Sequence, residues 1–275
     1  MAHGKTIELF LVDGTSEHII TAELSNWNGK AIKIPRNMVQ DCKRPDIQKA
    51  GVYFLFCEDD NGRNSVYIGE SLNVLDRLRQ HCKDYDNDRE LYYWSTAVVF
   101  SSDALNKAHI QYLEDKLVRL ARNAGRYQIL TQNTTNTTLS EAATSTMEEF
   151  ADNIKILISA LGYKVLTPTS QPVKGTVSLF CNGTSVKASG FLSTGGFTVQ
   201  KGSTISDKLT KACTPGQRIL RERLIEDGVV QDNTLTRDYE FKSPSAASTI
   251  VLGHPSSGPA DWKTEAGIPL RDLGE

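Results

Sequence analysis

Apolar and polar side chains alternate along residues 6–12 and the run stops at Asp13-Gly14, the pattern of a strand entering a tight turn. Residues 19–24 and 31–34, separated by Asn28-Gly29 and closed by Pro35, repeat that signal. Residues 52–57 form an unbroken apolar run and 65–68 a shorter strand-like stretch across Asn61-Gly62, which predicts a second hairpin, buried on its first strand. From Ser71 the period lengthens, with Leu72, Leu75, Leu78 and Cys82 recurring at threes and fours as on a helix face. Residues 94–100 return to a strand pattern. Residues 104–124 then carry Ile110, Leu113, Leu117 and Leu120 at helical spacing and end before Gly125. The middle of the chain therefore reads β-β-α-β-α.

Beyond it, the threonine-rich stretch 131–138 predicts a loop. Met147, Phe150, Ile154, Leu157, Ile158 and Leu161 line one face of a helix stopped by Gly162. After a linker at 168–172, hairpins are expected about Asn182-Gly183 and Gly195-Gly196, then a helix over 215–226. Ser243-Pro244, an N-cap followed by proline, starts a short helix ending at Gly253. No repeat is visible. The fold class is α+β, in four parts: a β-rich extension over 1–47, a β-β-α-β-α core over 48–138, a connector helix over 139–167 and a C-terminal α+β module over 173–275.

Composition narrows the function classes. An apolar fraction of 39% and a charged fraction of 23% are those of a globular protein, and no run approaches the ~20 apolar residues of a membrane helix. The opening residues lack the pattern of a cleaved signal peptide, so a cytoplasmic protein is expected. A net charge of -2 argues against a protein that coats nucleic acid nonspecifically. A local basic face remains in Lys201, Lys208, Lys211, Arg218, Arg221 and Arg223. The five cysteines are widely spaced with no C-x-x-C pair, so they read as buried or incidental thiols rather than disulfides or zinc ligands. Cys82 is core, Trp94 and Trp262 pack, and Glu58, Asp59 and Asp60 form a solvated hairpin tip.

Two tripeptides carry the chemical signal. Gly51-Val52-Tyr53 and Tyr67-Ile68-Gly69 stand in adjacent strands of one hairpin, which brings two tyrosine hydroxyls toward a common site. Arg77 and His81, four apart, share a face of the next helix. Glu114 lies at the margin of the apolar stripe of the helix after that, where a carboxylate needs a cation, a side chain or a metal ion, as partner.

In this order and spacing the chain resembles the GIY-YIG nuclease family of homing endonucleases, some restriction enzymes and a repair excinuclease. The likeness to stand-alone bacterial members extends over the whole chain, including a C-terminal module of undetermined function. The resemblance implies a divalent-metal-dependent endonuclease with catalytic residues Tyr53, Tyr67, Arg77, His81, Glu114 and Asn133, the last in a loop that also offers Asn136. Glu114 would hold Mg²⁺ or Mn²⁺ and Arg77 the scissile phosphate. Tyr53 would act as general base, helped by the positive field of Arg77, His81 and the metal. Gly69 with Arg77, and Lys201, Lys208, Lys211 and Arg218 in the C-terminal module, would touch the substrate. The expected partner is nucleic acid, DNA ahead of RNA, in restriction or phage defence, with no membrane and with the C-terminal module open to a homodimer or a protein partner. The alternative is an adaptor that keeps this fold without its chemistry.

Overall fold

The computed structural model describes residues 3–58, 64–168 and 176–273, and the chain divides into two units at residue 168/169. The expected turn at Asn61-Gly62, with Asp59 and Asp60, and the linker after Pro168 fall outside the described residues.

In the first unit the strands follow the turn chemistry. β1 (Ile7–Leu11), β2 (Ile20–Leu24) and β3 (Lys30–Pro35) form an antiparallel meander, and β4 (Gly51–Glu58) pairs with β5 (Asn64–Ser71). Helix α1 (Val74–Asp86), strand β6 (Trp94–Ser101), helix α2 (Lys107–Ala124), the short β7 (Gln128–Ile129) and helix α3 (Glu141–Ala160) complete the unit. One seven-stranded sheet runs β1-β2-β3-β6-β4-β5-β7, antiparallel except where β7 lies parallel to β5. The N-terminal strands thus continue the central sheet through the β3–β6 pairing.

Strand alternation splits the core. Val52, Phe54, Phe56, Val66 and Ile68 face α2 and α3, whereas Tyr53, Leu55, Cys57 and Tyr67 face α1 with Val74, Leu75 and Leu78. Helix α3 belongs to this unit: Phe150 lies 4.6 Å from Trp27, and just beyond the helix Tyr163 stacks on Phe56 at 3.8 Å. Two helix starts differ from the periodic reading. Asn73 caps α1, leaving Leu72 before it and 58% exposed, and Asn106 caps α2. In each case a capping side chain, not the last apolar residue, fixes the boundary.

The second unit holds β8 (Leu179–Asn182), β9 (Lys187–Ser193), β10 (Gly196–Val199), α4 (Pro215–Glu226), β11 (Val230–Gln231), β12 (Thr234–Leu235), β13 (Tyr239–Phe241), α5 (Pro244–Leu252) and α6 (Gly258–Asp261). Its four-stranded sheet runs β13-β10-β9-β8. Ser243 and Gly253 cap α5 as expected. Trp262 is fully buried against Phe197 at 4.3 Å and donates its indole N–H to the Pro244 carbonyl. All five cysteines are free and buried, and no helix among the described residues is long and apolar enough to cross a membrane.

Candidate active site

Tyr53 pairs across β4–β5 with Gly69, and Leu55 pairs with Tyr67, so the two tyrosines are diagonal neighbours on one sheet face. Their ring centroids stand 6.2 Å apart. Gly69 is a steric requirement of that pair, because a Cβ there would lie 2.5 Å from Tyr53 Oη and 2.8 Å from the Tyr67 ring. Gly51 answers to the other side of β4, where a Cβ would meet the Phe100 carbonyl oxygen at 2.5 Å.

Helix α1 lays its polar pair onto these rings. Burial of Val74, Leu75, Leu78 and Cys82 fixes its rotation, and His81 is carried inward until it is fully buried. His81 Nε2 lies 2.9 Å from Tyr53 Oη, with its ring edge-on to both tyrosines. The half-buried Arg77 directs its guanidinium at the hydroxyls of Tyr53 and Tyr67. Burial pushes the Tyr53 phenol well above its ordinary range, the neighbouring Tyr67 adds to this, and Arg77 opposes both. In the protein alone Tyr53 therefore keeps its proton. Glu90, which carried no signal in the sequence, sits on the remaining ring nitrogen of His81, and Tyr92 stacks on Tyr67 at 6.0 Å.

The even-numbered residues of β5 turn toward α2, and their backbone groups line the strand's open edge. The Val66 carbonyl takes the Leu130 N–H at 2.9 Å. Thr131 Oγ1 then accepts from the Ile68 N–H at 2.8 Å and donates to the Ile68 carbonyl at 2.7 Å. The Glu70 N–H comes next, and the Glu114 carboxylate of α2 approaches it as an acceptor. Burial, then the nearby Glu70 carboxylate, push Glu114 up to about 7, against the pull of Lys107 and that backbone N–H. Lys107 forms an ion pair with Glu70 Oε1, while Glu70 Oε2 is buried without a partner. Glu70 was not singled out from the sequence, although it adjoins Gly69; a lone acidic residue after a strand glycine carries no periodic signal.

The orphaned Glu70 oxygen beside a half-buried, proton-hungry Glu114 is what a carboxylate site for a hard divalent cation offers. Among the described residues no group of three or more His, Cys, Asp or Glu side chains stands together as a ligand set, so a cation here would keep most of its shell as water.

The other expected residues are placed less tightly. Asn133 and Asn136 are both exposed in the loop after Thr131. In the second unit Lys201, Lys208 and Lys211 are exposed, and Arg218 donates to the Thr210 carbonyl at 2.7 Å. Arg221 leaves the proposed basic face: it is 7% exposed and bonds to the Ser206 carbonyl and Asn233 Oδ1, closing the module's own fold.

Compared with known families, residues 49–128 match the GIY-YIG catalytic domain, a domain of nuclease-type phosphodiester hydrolases. Residues 179–274 match a domain of unknown function (DUF4357), so the chain joins a GIY-YIG domain to a C-terminal module of unassigned role. The first match contains Tyr53, Tyr67, Arg77, His81 and Glu114 and ends before Asn133. No curated protein and no solved structure matches the chain.

Proposed function

We propose that the protein is a divalent-metal-dependent endonuclease that hydrolyses phosphodiester bonds in DNA. The observation that carries this reading is the meeting of Tyr53, Tyr67, Arg77 and His81 on one face of β4–β5 with Glu114 and the unpartnered Glu70 oxygen at the edge of β5. A Mg²⁺ or Mn²⁺ ion held by Glu114, with Glu70 beside it, would supply Lewis-acid neutralisation of a phosphate oxygen.

The chain's own residues account for the rest. Arg77 binds the scissile phosphate and meets the charge that develops on it. Tyr67 orients phosphate or water, and Gly69 places no Cβ against the Tyr53 hydroxyl or the Tyr67 ring. Tyr53 takes the proton of the attacking water, and because burial keeps it a neutral phenol it must release its own proton in the same event. His81 Nε2 is the base within reach. Asn133, on the loop beyond Thr131, would orient the site by hydrogen bonds, and the cations Lys201, Lys208, Lys211 and Arg218 track the DNA backbone, suiting a role in restriction or phage defence.

The test is a cleavage assay on single-stranded and duplex DNA and RNA with Mg²⁺, Mn²⁺ or EDTA. Metal-dependent scission of DNA, abolished by EDTA, is expected. Binding of DNA without scission under any of these conditions would replace the enzyme reading with that of an adaptor.

A further inference from the structure

The stretch 87–93 between α1 and β6 turns the wrong residue inward by the ordinary rule of burial: the Glu90 side chain is 13% exposed, whereas Leu91 beside it is 94% exposed. Burying a carboxylate while an adjacent leucine faces water costs free energy on both counts unless the carboxylate has a purpose-built partner. That partner is His81, whose Nδ1 contacts Glu90 Oε1. The Glu90 backbone is anchored as well, its N–H reaching the Asp84 carbonyl at 3.3 Å.

A carboxylate only accepts, so in a neutral imidazole this contact puts the hydrogen on Nδ1 and leaves a bare lone pair on Nε2. Nε2 faces Tyr53 Oη at 2.9 Å, so the phenol donates and the imidazole accepts. Tyr53, His81 and Glu90 thereby form a chain of hydrogen bonds with a single direction.

We infer that Glu90 is a positioning residue for hydrolysis, which fixes His81 with Nε2 open so that Tyr53 can hand its proton on while it takes one from water. The inference rests on the nuclease reading above. As the water oxygen bonds to phosphorus, its proton goes to Tyr53 Oη and the phenol's own proton to His81 Nε2. The Glu90 carboxylate holds the imidazolium that results. The phosphorus–oxygen bond on the far side breaks with its electron pair on the leaving oxygen, which takes a proton from solvent. The proton on Nε2 later returns through Tyr53 to water, restoring the starting state.

Glu90→Gln, which can offer an amide N–H to Nδ1, should reverse the chain. We expect kcat for DNA cleavage to fall on the order of 10²–10³-fold with KM little changed. Long-range ¹⁵N–¹H spectra of the histidine ring, assigned with a His81→Gln variant, should show His81 change from the Nδ1–H to the Nε2–H tautomer. Glu90→Asp, which keeps an acceptor, should keep the Nδ1–H tautomer and recover much of the rate. A Glu90→Gln enzyme with wild-type kcat, or one that loses kcat while His81 keeps the Nδ1–H tautomer, overturns the inference. A wild-type protein that cleaves nothing removes the nuclease reading itself, a result separate from either.

Discussion

The tyrosine-histidine cluster of the first unit and several buried polar groups of the second differ in what they bond. In the second, Arg221 bonds to the Ser206 carbonyl, Ser203 bridges to the backbone of Ser189 and Ser245 meets the Gly258 N–H, so these groups close the module's own chain. In the first, Tyr53, His81 and Glu90 bond to one another, Arg77 faces the two tyrosines, Glu114 lies near Glu70, and one oxygen each of Glu70 and Glu90 is unpartnered. Polar groups that satisfy backbone stabilise a fold, whereas polar groups assembled on one another around an unmet valence hold free energy in reserve for a ligand. On the reading proposed above, the chemistry is carried by the first unit and the exposed cations of the second would contact the substrate.

Two substitutions test that division at the chemical end. Glu114→Ala should abolish metal-dependent cleavage in a gel assay while circular dichroism and DNA affinity stay near wild type, because the residue closes no part of the hydrophobic core. A fully active variant would remove Glu114 from the metal site. Arg77→Ala should lower the single-turnover rate by about 10² to 10³, the usual effect of losing one preorganised group that meets developing charge. Weakened binding with unchanged turnover would give Arg77 a role in docking instead.

How much of this was legible follows the range of each interaction. Glycine turns, caps and strand alternation act within a few residues, so β1 to β6, α4 and the bounds of α5 were readable, as was the convergence of Tyr53 and Tyr67. Arg77 and His81 followed from helical spacing. Glu90 and Glu70 did not, because their roles come from contacts made only after folding: one lies in an irregular segment with an exposed leucine, the other gains its meaning from a helix more than thirty residues away. β7 was missed for the same reason, since its pairing with β5 is completed by the Thr131 side chain standing in for backbone. A basic residue in a basic run reads as solvated, and only the folded chain supplies the Ser206 and Asn233 oxygens that draw Arg221 inward.

Separating the units sharpens the comparison further. A chain ending at Pro168 should unfold cooperatively in urea, since Val165 and Leu166 are buried in the first core and Arg126 donates to the Thr167 carbonyl at 2.7 Å; ending before Val165 should destabilise it. If the exposed cations of the second unit neutralise phosphates, the shorter chain should bind DNA more weakly, with the slope of log K against log salt shallower by about 0.9 for each phosphate it no longer reaches. It should still cleave slowly at high enzyme concentration. Equal affinity and slope in both chains would exclude DNA reading and leave protein binding as the module's role.

The smallest effect expected is thermodynamic and reports on the reserve held at Glu114. Its carboxyl is pushed up to about 7 in the folded chain by burial and by Glu70, with Lys107 opposing and Asp115 adding, against ~4.3 for an unfolded glutamate. A raised folded value means the native state holds this proton more tightly than the unfolded one. The contribution is neutral below pH ~4.3, where both states are protonated; stability falls as pH rises from there to about 7 and stays lower above it. Glu114→Gln removes the liability, so in urea melts with EDTA its stability relative to wild type should grow between pH 4 and pH 8. Because the side chain is only partly buried, solvent screening holds the gain to on the order of 1 kcal/mol. Added Mg²⁺ should shrink the difference at pH 8 by stabilising the wild type alone, since a cation that binds the ionised carboxylate lifts the native state and not the unfolded one. A difference between variant and wild type that stays constant across this pH range would mean that Glu114 ionises as an ordinary surface carboxylate, and the reserve would have to be sought at Glu70.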